Sequence, residues 1–150
     1  MNDKNTESVM TRKQGFTLIE LMVVVAIVAI LAAIAITSYS RYAFRARRPD
    51  GQELLLRIAN AQERYYAAYN SYDELKTIGY SNTAVTNSQK GYYQASVTQG
   101  ATNDWQSYVA TAVPKGVQIN DACSSLSIDN TGTKLPAMSD AAANSNGHCW

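Results

Sequence analysis

The chain has 150 residues, 13 basic and 12 acidic, for a net charge of +1, so bulk charge gives no reason to expect a nucleic-acid partner. Two cysteines and one histidine fall short of four metal ligands at any usual spacing. No P-loop, dinucleotide loop or nucleophile elbow is present, so neither catalysis nor a cofactor is expected, and the length allows one ordinary domain plus a tail or anchor.

Residues 1–15, MNDKNTESVMTRKQG, are polar and end in Arg12, Lys13, Gln14 and Gly15. From Phe16 to Ile36 every residue but Glu20 is uncharged and most are apolar. As a helix this run spans about 31 Å, which matches a bilayer core. Arg12 and Lys13 favour a cytoplasmic N-terminus, although Arg41, Arg45, Arg47 and Arg48 beyond the span weaken that argument. A plain anchor is one reading, and a secretory signal cut after Ala33-Ile34-Ala35 is another. The apolar run is too long for a secretory signal, whose core is about 7–15 residues and normally lacks an early carboxylate.

Glu20 needs its own account, because a carboxylate in a membrane helix is costly unless it has a partner. A cut between Gly15 and Phe16 supplies that partner. Phe16 then carries a new α-amino cation, and Glu20 becomes the fifth residue, one helical turn away. In a low-dielectric setting the two charges attract strongly, within a chain or between neighbours. A pair made between neighbours rewards assembly and sets axial register.

The run KQGFTLIELMVVVAIVAILAAIAI resembles the class III signal of type IV pilins and of type II secretion pseudopilins. The resemblance implies that prepilin peptidase removes residues 1–15 as a leader, cutting after Gly15 and N-methylating Phe16. It implies that Glu20 is the assembly glutamate. Residues 16–40 would form a helix that waits in the inner membrane and later enters a fibre core. Many type IV pilins have proline at the position of Thr37 and often glycine at that of Ala29, so a straighter helix is expected here.

Pro49-Asp50-Gly51 weakens the helix and predicts a bend near 48–51. The pattern resumes at once, because Leu55, Ile58, Gln62, Tyr65, Tyr69 and Tyr72 follow at three- and four-residue steps, predicting a helix over about 16–70. This stripe reads as core packing against a sheet in preference to a ligand-stacking surface. The four arginines 41, 45, 47 and 48 read as a juxtamembrane anchor or a subunit contact; as DNA ligands they would touch phosphate without reading sequence. Gln62-Glu63-Arg64-Tyr65-Tyr66 and then Asn70-Ser71-Tyr72 resemble the end of this helix in PilE-type minor pilins.

Residues 73–90 read as a loop. Strands are expected at 92–98 and 107–113, with Gly100–Asp104 joining them and Pro114-Lys115-Gly116 ending the second. Residues 124–128 alternate as a third strand, Asp129-Asn130-Thr131-Gly132 turns, and 133–135 return as a short fourth. The expected fold is α+β, a long helix packed by its second half on three or four antiparallel strands. By resemblance this is the type IV pilin fold, with 41–150 as an extracytoplasmic head.

Cys123 and Cys149, an even pair in an exported domain, read as a disulfide. Closing that loop stabilises by about 3–4 kcal/mol on the chain-entropy estimate, and it pins MSDAAANSNGH, residues 138–148, which has little to bury. Pilins of this kind have such a C-terminal disulfide region, and the PilE type often ends in Cys-Trp, as Cys149-Trp150 does. Trp150 is read as a packed plug or an exposed contact. His148 reads as a solvated loop residue, and Asp121, Asp129 and Asp140 as scattered turn residues without the spacing of a calcium hand.

The combined expectation is a non-enzymatic minor pilin, N-terminus cytoplasmic before assembly, then part of an extracellular pilus that serves twitching motility, adhesion or DNA uptake. Its implied partners are other pilin subunits, prepilin peptidase, the inner membrane and the pilus assembly platform. The rivals are a major pilin, a type II secretion pseudopilin, which usually lacks such a disulfide, and a DNA-receptor pilin. Beyond the helix a DNA receptor would have only Lys76, Lys90, Lys115 and Lys134 to offer.

Overall fold

The computed structural model describes residues 15–101, 104–136, 140, 144, 149 and 150. His148 and most of 137–148 lie outside them. The chain divides into two compact units, Met1–Ser38 and Tyr39–Trp150. One helix, α1 (Leu18–Tyr69), contributes to both, with Pro49 inside it.

In the first unit the helix presents apolar side chains all round. Leu18 is 76% exposed, Met22 61% and Ile34 62%. An 18-residue window of mean hydropathy 3.0 makes this the one helix among the described residues long and apolar enough to cross a membrane. A helix apolar on every side has no solvated face, so it needs lipid or protein around it.

In the second unit α1 becomes one-sided. Leu55, Ile58 and Gln62 are fully buried, while Leu56, Arg57 and Glu63 face out. A five-stranded antiparallel sheet covers that face, in the order β1 (Val85–Asn87), β2 (Tyr93–Gln99), β3 (Tyr108–Pro114), β4 (Leu126–Asp129), β5 (Lys134–Leu135). Strand alternation puts Tyr93, Ala95 and Val97 of β2 and Tyr108, Ala110 and Ala112 of β3 on the inner face. Three alanines at the sheet centre leave room for the helix to come close.

The fifth strand corrects the expectation of a loop over 73–90. Val85–Asn87 is only three residues and pairs along one edge of β2, Val85 opposite Ser96 and Asn87 opposite Gln94. Such a strand is ordered by its partner, so local alternation could not reveal it.

Gly51 also has a reason beyond weakening the helix. A Cβ there would stand 2.8 Å from Cγ and Cδ2 of Tyr93, whose ring lies against the bare helix backbone. The chain stays helical through Pro49 and Gly51, although Pro49 has no N–H to give to the ladder.

The Tyr stripe needs one shift. Tyr66, four residues after Gln62, stacks on Tyr72 with ring centroids 4.6 Å apart, and Tyr72 meets Tyr108 edge-on at 4.7 Å. Tyr65 is half-buried, and its ring lies tilted against that of Tyr69, which is 67% exposed. The heptad-like spacing assigned Tyr65 to the core, but a straight 3.6-residue period places Tyr66 there. The helix ends when Asn70 takes a left-handed conformation, φ 54°. Gln62 then bonds both the N–H and the carbonyl of Asp73, and the Tyr72 hydroxyl donates to Glu63 at 3.2 Å. The Gln-Glu-Arg-Tyr-Tyr run is thus the device that folds the chain back after α1.

Burial raises the pKa of Tyr72 from 10.0 to about 12, with Glu63 adding to the rise. Burial likewise lifts Tyr93 from 10.0 to about 12, against the lowering effect of its Gln118 hydrogen bond. A tyrosine whose folded value is raised stabilises the native state below the unfolded value, and that contribution is lost as pH climbs through the folded value. The contribution of these two tyrosines to the head's stability should therefore be complete below pH 10 and fall away between 10 and 12. In an alkaline titration, tyrosinate absorbance of the buried rings should rise together with loss of the circular dichroism signal.

Candidate assembly and nucleic-acid surfaces

At the helix start, Gly15 and Phe16 lie outside α1, and Phe16 is 87% exposed. Thr17 caps the helix. Its hydroxyl oxygen accepts the Glu20 N–H at 3.3 Å, and its hydroxyl donates to the Glu20 carboxylate at 3.4 Å. This is the Thr-x-x-Glu pattern of a capped N-terminus, at which the helix dipole favours an acidic residue. The Thr17–Glu20 spacing is legible in the sequence, and it gives Glu20 a local role beside that of a charge partner.

The four arginines are not one cluster. Arg41 and Arg45 are exposed, as a juxtamembrane anchor requires. Arg47 lies over the ring of Tyr92, 5.0 Å from its centroid. Arg48 is buried, its side chain 1% exposed, and binds Asp121 bidentately, Nε to Oδ2 at 2.8 Å and Nη2 to Oδ1 at 2.7 Å. Arg48 is therefore no surface ligand, and Asp121 is no idle turn residue. The two are 73 positions apart, which kept their pairing out of reach of local pattern.

Gln118 completes this knot. It sits in a short 3-10 helix, Gly116–Asn120, and its amide donates to the Phe44 carbonyl, the Tyr93 hydroxyl and the Asp121 carboxylate. Two residues beyond Asp121, Cys123 is bonded to Cys149 with Cα atoms 5.6 Å apart. Gln52 donates to the Cys149 carbonyl, so the bridged end is held on α1. Trp150 combines the two expected roles. It packs half-buried against the core and donates its indole N–H to the Leu135 carbonyl, while Lys134 lies over its ring. Asp129 accepts from Thr131 and Thr133 within its own turn, and these bonds hold its carboxyl below the usual range although burial alone would raise it.

Lys90 and Lys115, two of the four head lysines, both have their backbones beside Tyr92. Lys90 precedes Tyr92 by two residues, and the Lys115 N–H donates to the Tyr92 carbonyl at 2.8 Å. With Arg47 on the Tyr92 ring they form a basic patch around one aromatic residue. Asp50, the carboxylate on this stretch of α1, is 7% exposed and accepts the N–H groups of Lys90 and Tyr92. Asp121 is neutralised by Arg48. These two carboxylates are turned inward, whereas Lys90, Lys115 and Glu53 are exposed and Arg47 is half-buried.

An apolar helix that continues into a helix-on-sheet head, with a carboxylate at its capped start and a disulfide at its C-terminal end, defines a type IV pilin. The chain belongs to the family described as type IV minor pilin ComP, DNA uptake sequence receptor, which matches residues 37–127. Residues 10–36 match the prokaryotic N-terminal methylation motif. A type IV pilin from Shewanella oneidensis, known at high resolution, is similar in structure, with 30% identity and a TM-score of 0.52 over 71% of this chain and 97% of that one. No curated protein matches the chain. The family description selects minor pilin over the major-pilin and pseudopilin rivals.

The knot yields a direct test. Asp121→Ala strands the buried Arg48 charge and should destabilise the head by about 3–5 kcal/mol in denaturant unfolding. Adding Arg48→Met to that variant should recover much of the loss, because no unpaired charge is then buried.

Proposed function

We propose that this minor pilin is a structural, non-enzymatic subunit that enters a type IV pilus through its N-terminal helix after cleavage between Gly15 and Phe16. Before assembly it crosses the inner membrane once, N-terminus in the cytoplasm, with the head on the far side. Prepilin peptidase and the assembly platform act on it there, and other pilins surround it in the fibre. The observation that carries this reading is the start of α1. An exposed Gly15-Phe16 peptide precedes the first helical turn, and Glu20 stands one turn beyond it. Cleavage creates the Phe16 ammonium, and methylation leaves it cationic. A neighbour's Glu20 in the apolar fibre core is its natural counter-ion.

Glu20→Gln separates the charge from the cap, since the amide still accepts from Thr17. The variant should be processed and remain in the membrane but be missing from sheared pili. Normal incorporation would leave capping as the sole role of Glu20 and sink the charge-pair account. Mass spectrometry of the wild type should find a methylated Phe16 N-terminus, whereas an N-terminus at Ile36 would mean a secretory signal.

The family description and the basic patch together favour a second role, DNA capture by the head. Lys90, Lys115 and Arg47 would neutralise phosphates, with Tyr92 between them. Contacts of this kind weaken with salt, by a log–log slope of about 0.9 per phosphate neutralised. Gel shifts of the full chain in detergent with a labelled duplex should show salt-sensitive binding. Lys90→Gln with Lys115→Gln should reduce the slope by about two. An unchanged slope would remove the patch from the DNA surface.

A further inference from the structure

The short 3-10 helix Gly116–Asn120 is a turning point of the head. Strand β3 starts at Tyr108, which meets Tyr72 just past the end of α1. It runs back along the helix to Lys115, whose N–H reaches the carbonyl of Tyr92, the residue that Arg47 covers. The 3-10 helix follows, with the Gln118 amide on the Phe44 carbonyl at 3.2 Å. Asp121 then returns the chain to Arg48. The turn therefore sits at the N-terminal end of the part of α1 that carries the head.

Within this turn Gln118 points in and its two neighbours point out. Val117 is 57% exposed and Ile119 62%. One exposed aliphatic side chain needs no explanation, but two on a five-residue turn make an apolar tip. The tip is fixed in place, because Gln118 between them also donates to Tyr93 and Asp121.

What lies beside the tip follows from chain length. Phe44 is eight residues past Ile36, the end of the apolar run, which is about 12 Å of helix at roughly 1.5 Å per residue. That length is set by the chain, whatever the angle between span and head. The headgroup layer of one leaflet is about 5–8 Å deep, so a side chain at the level of Phe44 has only a few ångström to cross. The residues between have the composition of that layer. Tyr39 and Tyr42 are exposed, as are Arg41 and Arg45. Tyrosine rings favour the membrane–water interface, and arginines reach phosphates while their stems stay among apolar groups. Arg41, Phe44, Arg45 and Arg48 recur at three- and four-residue steps, so the two exposed arginines share the helix face that holds the turn.

We propose that Val117 and Ile119 are a lipid-contacting foot of the head. Before assembly they rest in the headgroup layer of the membrane that the span crosses, with Arg41 and Arg45 on lipid phosphates beside them. An apolar tip flanked by cations is the pattern of interfacial membrane contacts. The foot also gives a use to arginines that, counted only as charges, argue against the orientation of the span. The inference rests on the membrane reading above and goes beyond it by giving the head its own contact with lipid.

Both cysteines are in the disulfide, so an introduced cysteine is the free thiol for labelling. The full chain is placed at one copy per nanodisc of phosphatidylethanolamine and phosphatidylglycerol, part of the lipid carrying a headgroup nitroxide. A bimane label enters through Asn120→Cys on the turn, with Tyr39→Cys beside the span and Lys76→Cys past the end of α1 as references. Quenching at 120 should approach that at 39 and exceed that at 76 several-fold. Adding Val117→Asp and Ile119→Asp should lower it to the value at 76. Val117→Ser with Ile119→Ser takes their place if the aspartates lower the Tm. Quenching at 120 no greater than at 76 overturns the inference. So does quenching that the polar pair leaves unchanged, since the turn is then near lipid without touching it. A label at 120 that is unquenched in the disc but shielded from iodide in sheared pili assigns the tip to a neighbouring pilin and overturns the inference too. An unquenched label at 39 overturns the membrane reading as well.

Discussion

The head depends on two hydrogen bonds that join Arg48 to Asp121 inside the protein. Taking both charges out of water is unfavourable, and the pair is tolerable only because its geometry is bidentate and Gln118 bonds the same carboxylate. That requirement fixes the chain on both sides. It seats the 3-10 helix against α1 at the Phe44 carbonyl, and Cys123, two residues past Asp121, is brought to where Cys149 can reach it. Gln52 then takes the Cys149 carbonyl back to α1. One ion pair therefore helps to hold Cys123, and through the disulfide Cys149, on α1.

The same helix meets two different requirements along its length. Up to Ile34 it exposes apolar side chains on every side, a surface that only lipid or other helices can satisfy. From Leu54 on it buries one stripe against the sheet and presents charge elsewhere. A subunit that passes from membrane to fibre needs both. The head in turn keeps two carboxylates, Asp50 and Asp121, inward, while Lys90 and Lys115 stay exposed near Tyr92.

Much of this could be read from residue order, and the limits follow from interaction range. The Gly-Phe-Thr-Leu-Ile-Glu run and the apolar span are contiguous. Their chemistry is local, and the span and four of the five strands lie close to where period and turn residues put them. The disulfide needed only a count of cysteines. What escaped was non-local or cooperative. Val85–Asn87 becomes a strand because β2 offers it an edge. Arg48 looked like its exposed neighbours until a partner from the far end of the chain claimed it. The basic patch joins α1 to two separate turns, so four lysines spread through the head gave no hint that two of them border Tyr92. Tyr66 lies one residue from the expected Tyr65, because a stripe at 3.5-residue spacing drifts from a helix that runs at 3.6.

The glycine at 51 has a consequence for how sequences of this fold can vary. Its missing side chain and the Tyr93 ring occupy the same space from opposite sides, one on the helix and one on the first long strand. Neither position is free to drift alone. A larger residue at 51 becomes acceptable only in a lineage where 93 has already shrunk, and a smaller residue at 93 opens a void that a residue at 51 could fill. Because the Tyr93 hydroxyl also answers to Gln118, that exchange would reach the ion-pair knot as well. Positions 51, 93 and 118 should thus be inherited as a set, a linkage between helix, sheet and 3-10 turn written in steric rather than chemical terms.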